Sequence, residues 1–261
     1  MDQLARRFES LDFIAVDPIS VPLGFDDPRD QEVIGLYAAL LAWGRRETIL
    51  KNMAALCERM AYRPFRFVSG FRPETDSAAL EGFGHRTFRP DDAVNLTLAL
   101  KVLLDRFGSL EAVFSAGLQS TESAETHDVG PAIEFFSESV MGAVPDTPAR
   151  LQKHIARPSS GSACKRLCMY LRWMVRSGPV DLGIWSSIPA SALVVPLDVH
   201  SGRQARALGL LERSQNDWRA AQELTAACRR LDPSDPARYD FALFGSGAFD
   251  EPLDNRFTKL D

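Results

Sequence analysis

The sequence predicts an all-α fold on three observations. Almost every long segment carries its apolar residues at helical spacing, and no turn signal is flanked by two alternating strands. The single alternating apolar run, 192–197, is too short to seed a sheet, and no internal repeat is present. Taken in order, residues 30–41 form an apolar helix with Asp30 at the N-cap, and Gly44 interrupts the run that follows. Residues 47–60 continue at helical period, and Pro64 starts a short helix over 64–70. Residues 71–89 read as loop with one short helix. Residues 91–107 are an amphipathic helix opened by Asp91 and Asp92, with Val94, Leu98, Val102 and Leu103 on one face. Shorter helices follow over 109–116 and 131–140, separated by the polar stretch 119–130.

Beyond Pro148 the character changes. Residues 149–156 read as a short helix and 158–163 as a tight turn of small residues. Residues 164–176 form a strong amphipathic helix that Gly178 and Pro179 end. Residues 181–186 carry a weak signal and 193–197 are apolar and extended. Asp198 caps a helix that ends near Gly209, and Asn216 caps 217–230. Pro236 opens a last helix, 237–244, closed by Gly245 and Gly247. The change near 148 divides the chain into lobe one, about 1–147, and lobe two, about 148–261, within one functional unit.

With 261 residues the chain is long enough for two lobes, and its 45% hydrophobic and 25% charged residues are those of a soluble protein. No stretch of about 18 apolar residues offers a membrane span. Residues 1–7 lack the apolar core of a signal peptide, so a cytoplasmic location is expected. The four cysteines, Cys57, Cys164, Cys168 and Cys228, lack the spacing of a zinc or iron–sulfur site, so neither metal nor cofactor is expected. The net charge is −5, but residues 150–230 carry +8 and the remainder −13. A basic stretch inside an acidic chain suits a polyanion, or is a solvated charged face.

The chemistry concentrates in that basic stretch. A turn of Ser160, Gly161, Ser162 and Ala163 precedes a helix opening with Lys165 and Arg166. Small residues let a phosphate approach backbone N–H groups at a helix start. The same pattern also serves as an ordinary helix–helix turn. A neutral lysine amine can attack the anomeric carbon of a deoxynucleoside, and desolvation or an adjacent cation such as Arg166 favours neutrality. A carboxylate such as Asp198 can stabilise the developing sugar cation or activate water. Taken singly, Lys165 is also readable as a solvated lysine and Asp198 as a plain cap. Arg172 and Arg176 share a helix face and suit either phosphate or Asp181. His200 and Arg203 sit on the first turns after Asp198. Trp43, Trp173 and Trp185 are candidates to stack on a base, or core residues.

The run from Gly161 to Lys165 resembles the hairpin-plus-lysine motif of the helix-hairpin-helix, endonuclease III-like DNA glycosylases. Pro196-Leu197-Asp198-Val199-His200 with Arg203 and Arg206 is similar to their aspartate motif, and 235–245 to their closing helix. More closely, Lys165-Arg166-Leu167, Leu171 to Arg176, Trp185, Tyr239 to Leu243 and the run from Ala42 to Arg46 resemble an uncharacterised bacterial family of unknown function. The 165-to-198 interval is closest to the archaeal 8-oxoguanine glycosylase branch. The resemblance implies a two-lobed helical fold holding double-stranded DNA with a flipped base. It implies Lys165 as Schiff-base nucleophile and Asp198 as catalytic carboxylate. Ser160, Gly161, Ser162, Ala163, Arg166, Arg172, Arg176, His200 and Arg203 would bind DNA, and the three tryptophans would form the base pocket. The expected function is a DNA glycosylase, with or without AP-lyase activity, acting as a monomer. A non-catalytic DNA-binding protein of the same fold is the alternative, and a helical scaffold that does not touch nucleic acid is a third. The hairpin departs from the pattern in lacking its second glycine, Ala163 and Cys164 standing there, and the C-terminal four-cysteine cluster is absent.

Overall fold

A computed structural model describes residues 1–10, 14, 17–119, 128–145 and 147–248. Thirteen α-helices and four short 3-10 turns make up the ordered elements among them, with no strand. No helix among them is long and apolar enough to cross a membrane. All four cysteines are buried and none is in a disulfide.

The chain divides into two compact units. The internal unit is Ile14–Glu122 with Pro131–Ala156, and the terminal unit is Met1–Phe13, Ser123–Gly130 and Arg157–Asp261. In the terminal unit the first helix, α1 (Asp2–Phe8), packs on the last, α13 (Asp240–Ala248). The Tyr239 hydroxyl donates to Asp2 at 2.8 Å, and a Cβ on Gly245 would lie 2.3 Å from the Phe8 ring. That contact is why residues 1–13 group with the later part of the chain. It also explains why Gly245, expected to end the last helix, instead lies inside it.

The internal unit holds α2 (Ser20–Leu23), α3 (Pro28–Leu40), α4 (Arg46–Arg59), α5 (Pro64–Ser69), α6 (Pro73–Leu80), α7 (Pro90–Phe107) and α8 (Leu110–Gln119). Most of α9 (Gly130–Gly142) belongs to it too. Its buried residues include Ile34, Leu36, Tyr37 and Leu40 of α3 and Leu96, Leu100 and Leu103 of α7. Tyr37 hydroxyl meets Thr97 Oγ1 at 2.7 Å, so the deepest phenol is satisfied. The cap of α3 is Asp27 rather than Asp30. Asp27 accepts from the Arg29 N–H at 2.9 Å ahead of Pro28, whose missing N–H needs no acceptor. Asp30 accepts instead from the Phe65 N–H at 2.8 Å, tying α3 to α5. The expected helix 149–156 is a 3-10 turn, Ala149–Lys153.

The terminal unit is built around α10 (Lys165–Val175), whose residues from Leu167 to Val175 are all buried. A helix buried on every side is packed all round by its neighbours. Side chains of α10 meet Asp198, the cap of α11 (Val199–Ala207), and Asp240, Phe241 and Phe244 of α13; α12 (Trp218–Leu231) and the extended segment 193–197 belong to the same unit. That segment stays a single strand-like run: the Val195 N–H donates to Thr225 Oγ1 on α12 at 3.0 Å. The cap of α12 is Asp217, which accepts from the Ala220 N–H, and not Asn216.

Candidate functional site

Ahead of α10 the hairpin turn is built as the small residues require, with one change. Gly161 sits at φ 78° after the three-residue 3-10 turn Pro158–Ser160, and the space where its Cβ would stand is open. Cys164 takes φ 49°, the left-handed conformation that glycine adopts at least cost. Its N–H reaches Ser162 Oγ at 3.1 Å and its Sγ reaches Ser162 O at 3.3 Å. The missing second glycine is thus replaced by a cysteine with a glycine-like backbone. Ser160 and Gly161 are exposed, Ser162 and Arg166 half-buried, and Ala163 buried. Within the terminal unit the leading arm of the hairpin is only that 3-10 turn, not an α-helix.

Lys165 and Asp198, 33 positions apart in sequence, come together. Lys165 Nζ lies 2.9 Å from Asp198 Oδ2, with side chains 30% and 19% exposed, so the pair is open to solvent on one side. The two carboxylate oxygens have divided duties. Oδ1 accepts from the His200 and Ser201 N–H groups at 2.8 and 2.9 Å, capping α11, while Ser201 Oγ accepts from the Asp198 N–H at 2.9 Å. Oδ2 is left for Lys165. Asn216 Nδ2 donates to Asp198 O at 3.0 Å and is itself held by Arg206 at 2.7 Å. Burial works against the Asp198 charge, but Lys165 and the two cap N–H groups outweigh it and hold the carboxyl below its usual range. His200 and Arg203 are exposed on the adjoining face of α11, beside Val199, which is 74% exposed.

Two residues at this site lie in the stretch 235–245 that resembles the closing helix of the glycosylases, but the sequence assigned them no role. The Phe244 ring on α13 lies 5.6 Å from Lys165 Nζ, within cation–π range. Asp240, at the start of α13, is buried and bonded to Arg172. Burial pushes its carboxyl up to about 6, with Asp198 and Asp181 adding to the rise and Arg172 and Lys165 opposing it. Only the packing of α13 on α10 brings these groups to Lys165.

The α10 arginines correct an expectation. Arg172 and Arg176 do not reach out to phosphate: both are buried and paired. Arg172 bonds Asp240 and lies 3.3 Å from Asp181. Arg176 bonds Asp181, meets both Asp235 oxygens at 2.9 Å and reaches Glu9 at 2.9 Å. Burial opposes the Arg176 charge, yet this ring of carboxylates raises its pKa on balance. Arg213 is paired with Asp217 and Arg229 with the Ser191 carbonyl, so much of the +8 in 150–230 is consumed internally.

The tryptophans correct another. Trp173 is fully buried, and Trp185 is 5% exposed with its ring edge-on to Tyr170 at 5.4 Å, so neither presents a face to a base. Trp43 belongs to the internal unit, where it packs against His85. Among the described residues no group of three His, Cys, Asp or Glu converges as a metal site.

Comparison with curated proteins and with solved structures returned no match. A family model does match, that of the family described as "Protein of unknown function (DUF2400)", over residues 17–249. That span takes in nine-tenths or so of the chain, Lys165 and Asp198 included, and the chain belongs to that family.

Proposed function

We propose that this protein is a DNA base-excision enzyme, an N-glycosylase of helix-hairpin-helix type with Lys165 and Asp198 as its catalytic pair. The observation that carries the reading is the 2.9 Å approach of Lys165 Nζ to Asp198 Oδ2 at the starts of two helices, open to solvent. Resemblance to the glycosylase hairpin and aspartate motifs supplies the chemistry. In the lyase route Lys165 yields a proton to Asp198, and its amine attacks C1′ of a flipped deoxynucleotide. The C1′–N bond to the base breaks, and the base leaves with its bonding pair and takes up a proton. The C1′–O4′ bond of the resulting aminal then breaks, O4′ leaving with its bonding pair and taking up a proton as the ring opens, and the lysine nitrogen's lone pair forms the C1′=N imine. Loss of a C2′ proton then expels the 3′ phosphate by β-elimination. In a hydrolytic route Asp198 accepts the proton of the attacking water and stabilises the sugar cation. His200, Arg203 and the exposed turn at Ser160 and Gly161 lie on the same unit and would take the phosphates on either side. The ligand is duplex DNA with one base flipped out, bound by a monomer.

The test is borohydride trapping on duplexes carrying assorted damaged or modified bases. A covalent adduct lost in Lys165→Met establishes the lyase route. Free base without an adduct, abolished by Asp198→Asn, establishes the hydrolytic one. Salt-dependent binding that survives Asp198→Asn, with no base released from any duplex, would show a non-catalytic DNA-binding protein instead.

A further inference from the structure

The internal unit presents an exposed arginine that packs on an indole and meets no carboxylate among the described residues. His85 and Phe88 exchange both backbone hydrogen bonds at 2.9 Å, making a hairpin turn with Arg86 and Thr87 at its tip. Arg86 takes φ 56°, a left-handed conformation that its Cβ disfavours. The turn is tied down on both sides. His85 is buried, with Nε2 2.9 Å from Trp43 O and Nδ1 2.9 Å from Asn52 Nδ2. Arg150 donates to Thr87 O at 2.9 Å.

From this tip the Arg86 guanidinium lies over the Trp43 ring, 4.9 Å from its centroid. Gly44 makes the room: at φ 107° a Cβ there would stand 2.8 Å from Arg86 Nη1. No carboxylate among the described residues pairs with Arg86, which is exposed. The Trp43 indole N–H is buried without a hydrogen-bond partner. Arg45, next to Gly44, is 85% exposed and meets Glu47 at 3.7 Å. The guanidinium is planar by its own delocalisation; the indole beneath it fixes where it sits and leaves N–H donors for an anion, the flat paired geometry suited to two phosphate oxygens. Arg86 and Arg45 are both exposed, as a contact to one phosphate in a chain of them requires.

We propose that Trp43 and Arg86, with Arg45 beside them, form a phosphate-gripping site of the internal unit that binds the backbone of a nucleic acid. The identity of the polyanion rests on the DNA reading above; the site itself rests on the Trp43–Gly44–Arg86 geometry. The experiment follows a fluorescein-labelled undamaged duplex by anisotropy across a salt series, with the full chain and its Arg86→Gly, Arg86→Lys and Arg45→Ala variants. Glycine takes a positive φ freely, so Arg86→Gly removes the side chain and keeps the turn. The slope of log K against log salt should shrink by about 0.9 in Arg86→Gly, the loss of one phosphate contact, and again in Arg45→Ala. Arg86→Lys should keep the slope and bind more weakly, since an ammonium lacks the flat paired donors. Wild-type slope and affinity in both Arg86→Gly and Arg45→Ala would overturn this site and leave the glycosylase reading standing. Weaker inorganic phosphate binding by Arg86→Gly with unchanged duplex binding would assign the site to free phosphate and overturn it as a DNA contact. No duplex binding by the wild type would overturn both readings together.

Discussion

Arg176 and Arg86 show the same side chain in opposite settings. Arg176 is buried on α10 and bonded to Asp181, Asp235 and Glu9, with Arg172 beside it bonded to Asp240. Arg86 stands exposed at a turn tip, lies over an indole and meets no carboxylate among the described residues. The first setting spends guanidinium donors on joining α10 to α13 and to the segment around Glu9. The second leaves them unspent. Basic residues counted along a sequence therefore say little about where a polyanion can bind, because the count does not distinguish the two.

Breaking the buried cluster should produce the largest effect. Asp181→Ala removes the carboxylate shared by Arg172 and Arg176, leaving Arg172 with Asp240 and Arg176 with Asp235 and Glu9, at a cost of about 2–3 kcal/mol read from urea unfolding, below the full penalty of an unpaired buried charge. Stability equal to wild type would mean that these arginines are not what holds α10. The next effect is a pH dependence. Asp240 is raised to about 6 when folded, chiefly by burial, against about 3.9 for a free aspartate. A raised acid favours the folded state fully below the unfolded pKa, and that contribution is lost as pH rises through about 6. Stability should fall between about pH 4 and 7 by on the order of 2–3 kcal/mol from this group, and Asp240→Asn should flatten that slope.

Asp198 runs the other way. Its carboxyl is held low, so its contribution is present above about pH 4 and lost as pH falls through the lowered value. Asp198→Ala should cost about 1 kcal/mol through the lost cap of α11, while Asp198→Asn keeps a capping oxygen and most of that stability. Base release should be abolished in both, which separates the cap from the chemistry. The smallest effect belongs to the exposed arginine: Arg86→Gly should change stability by less than about 0.5 kcal/mol. A larger loss would move Arg86 into the company of Arg176.

The sequence made the helical class and the order of Lys165 and Asp198 legible because both are local. The periodicity of α7 and the aspartate before α11 need no knowledge of the rest of the chain. Of the partners of Arg176, Asp181, five positions on, was legible, but Glu9 and Asp235 were not, since they lie 167 and 59 positions away. Helix α1 is seven residues long, too short to show a period, and is held by Tyr239 and Gly245. Trp173 carries the same letter whether it stacks on a base or fills a core; only the packing around α10 distinguishes them. Arg86 has no turn-forming propensity, so its left-handed backbone left no trace in composition.

The bond between Tyr239 and Asp2 spans 237 positions, and it bears on how the chain matures as it is made. The internal unit has its last segment once residue 156 is synthesised, but α10 lacks the carboxylates of Asp235 and Asp240 until α13 follows. At about 5–20 residues per second that delay lasts on the order of ten seconds. Through it the nascent chain carries two arginines with only Asp181 and Glu9 to meet them, and a central helix without the last helix that covers it, a natural target for a holding chaperone.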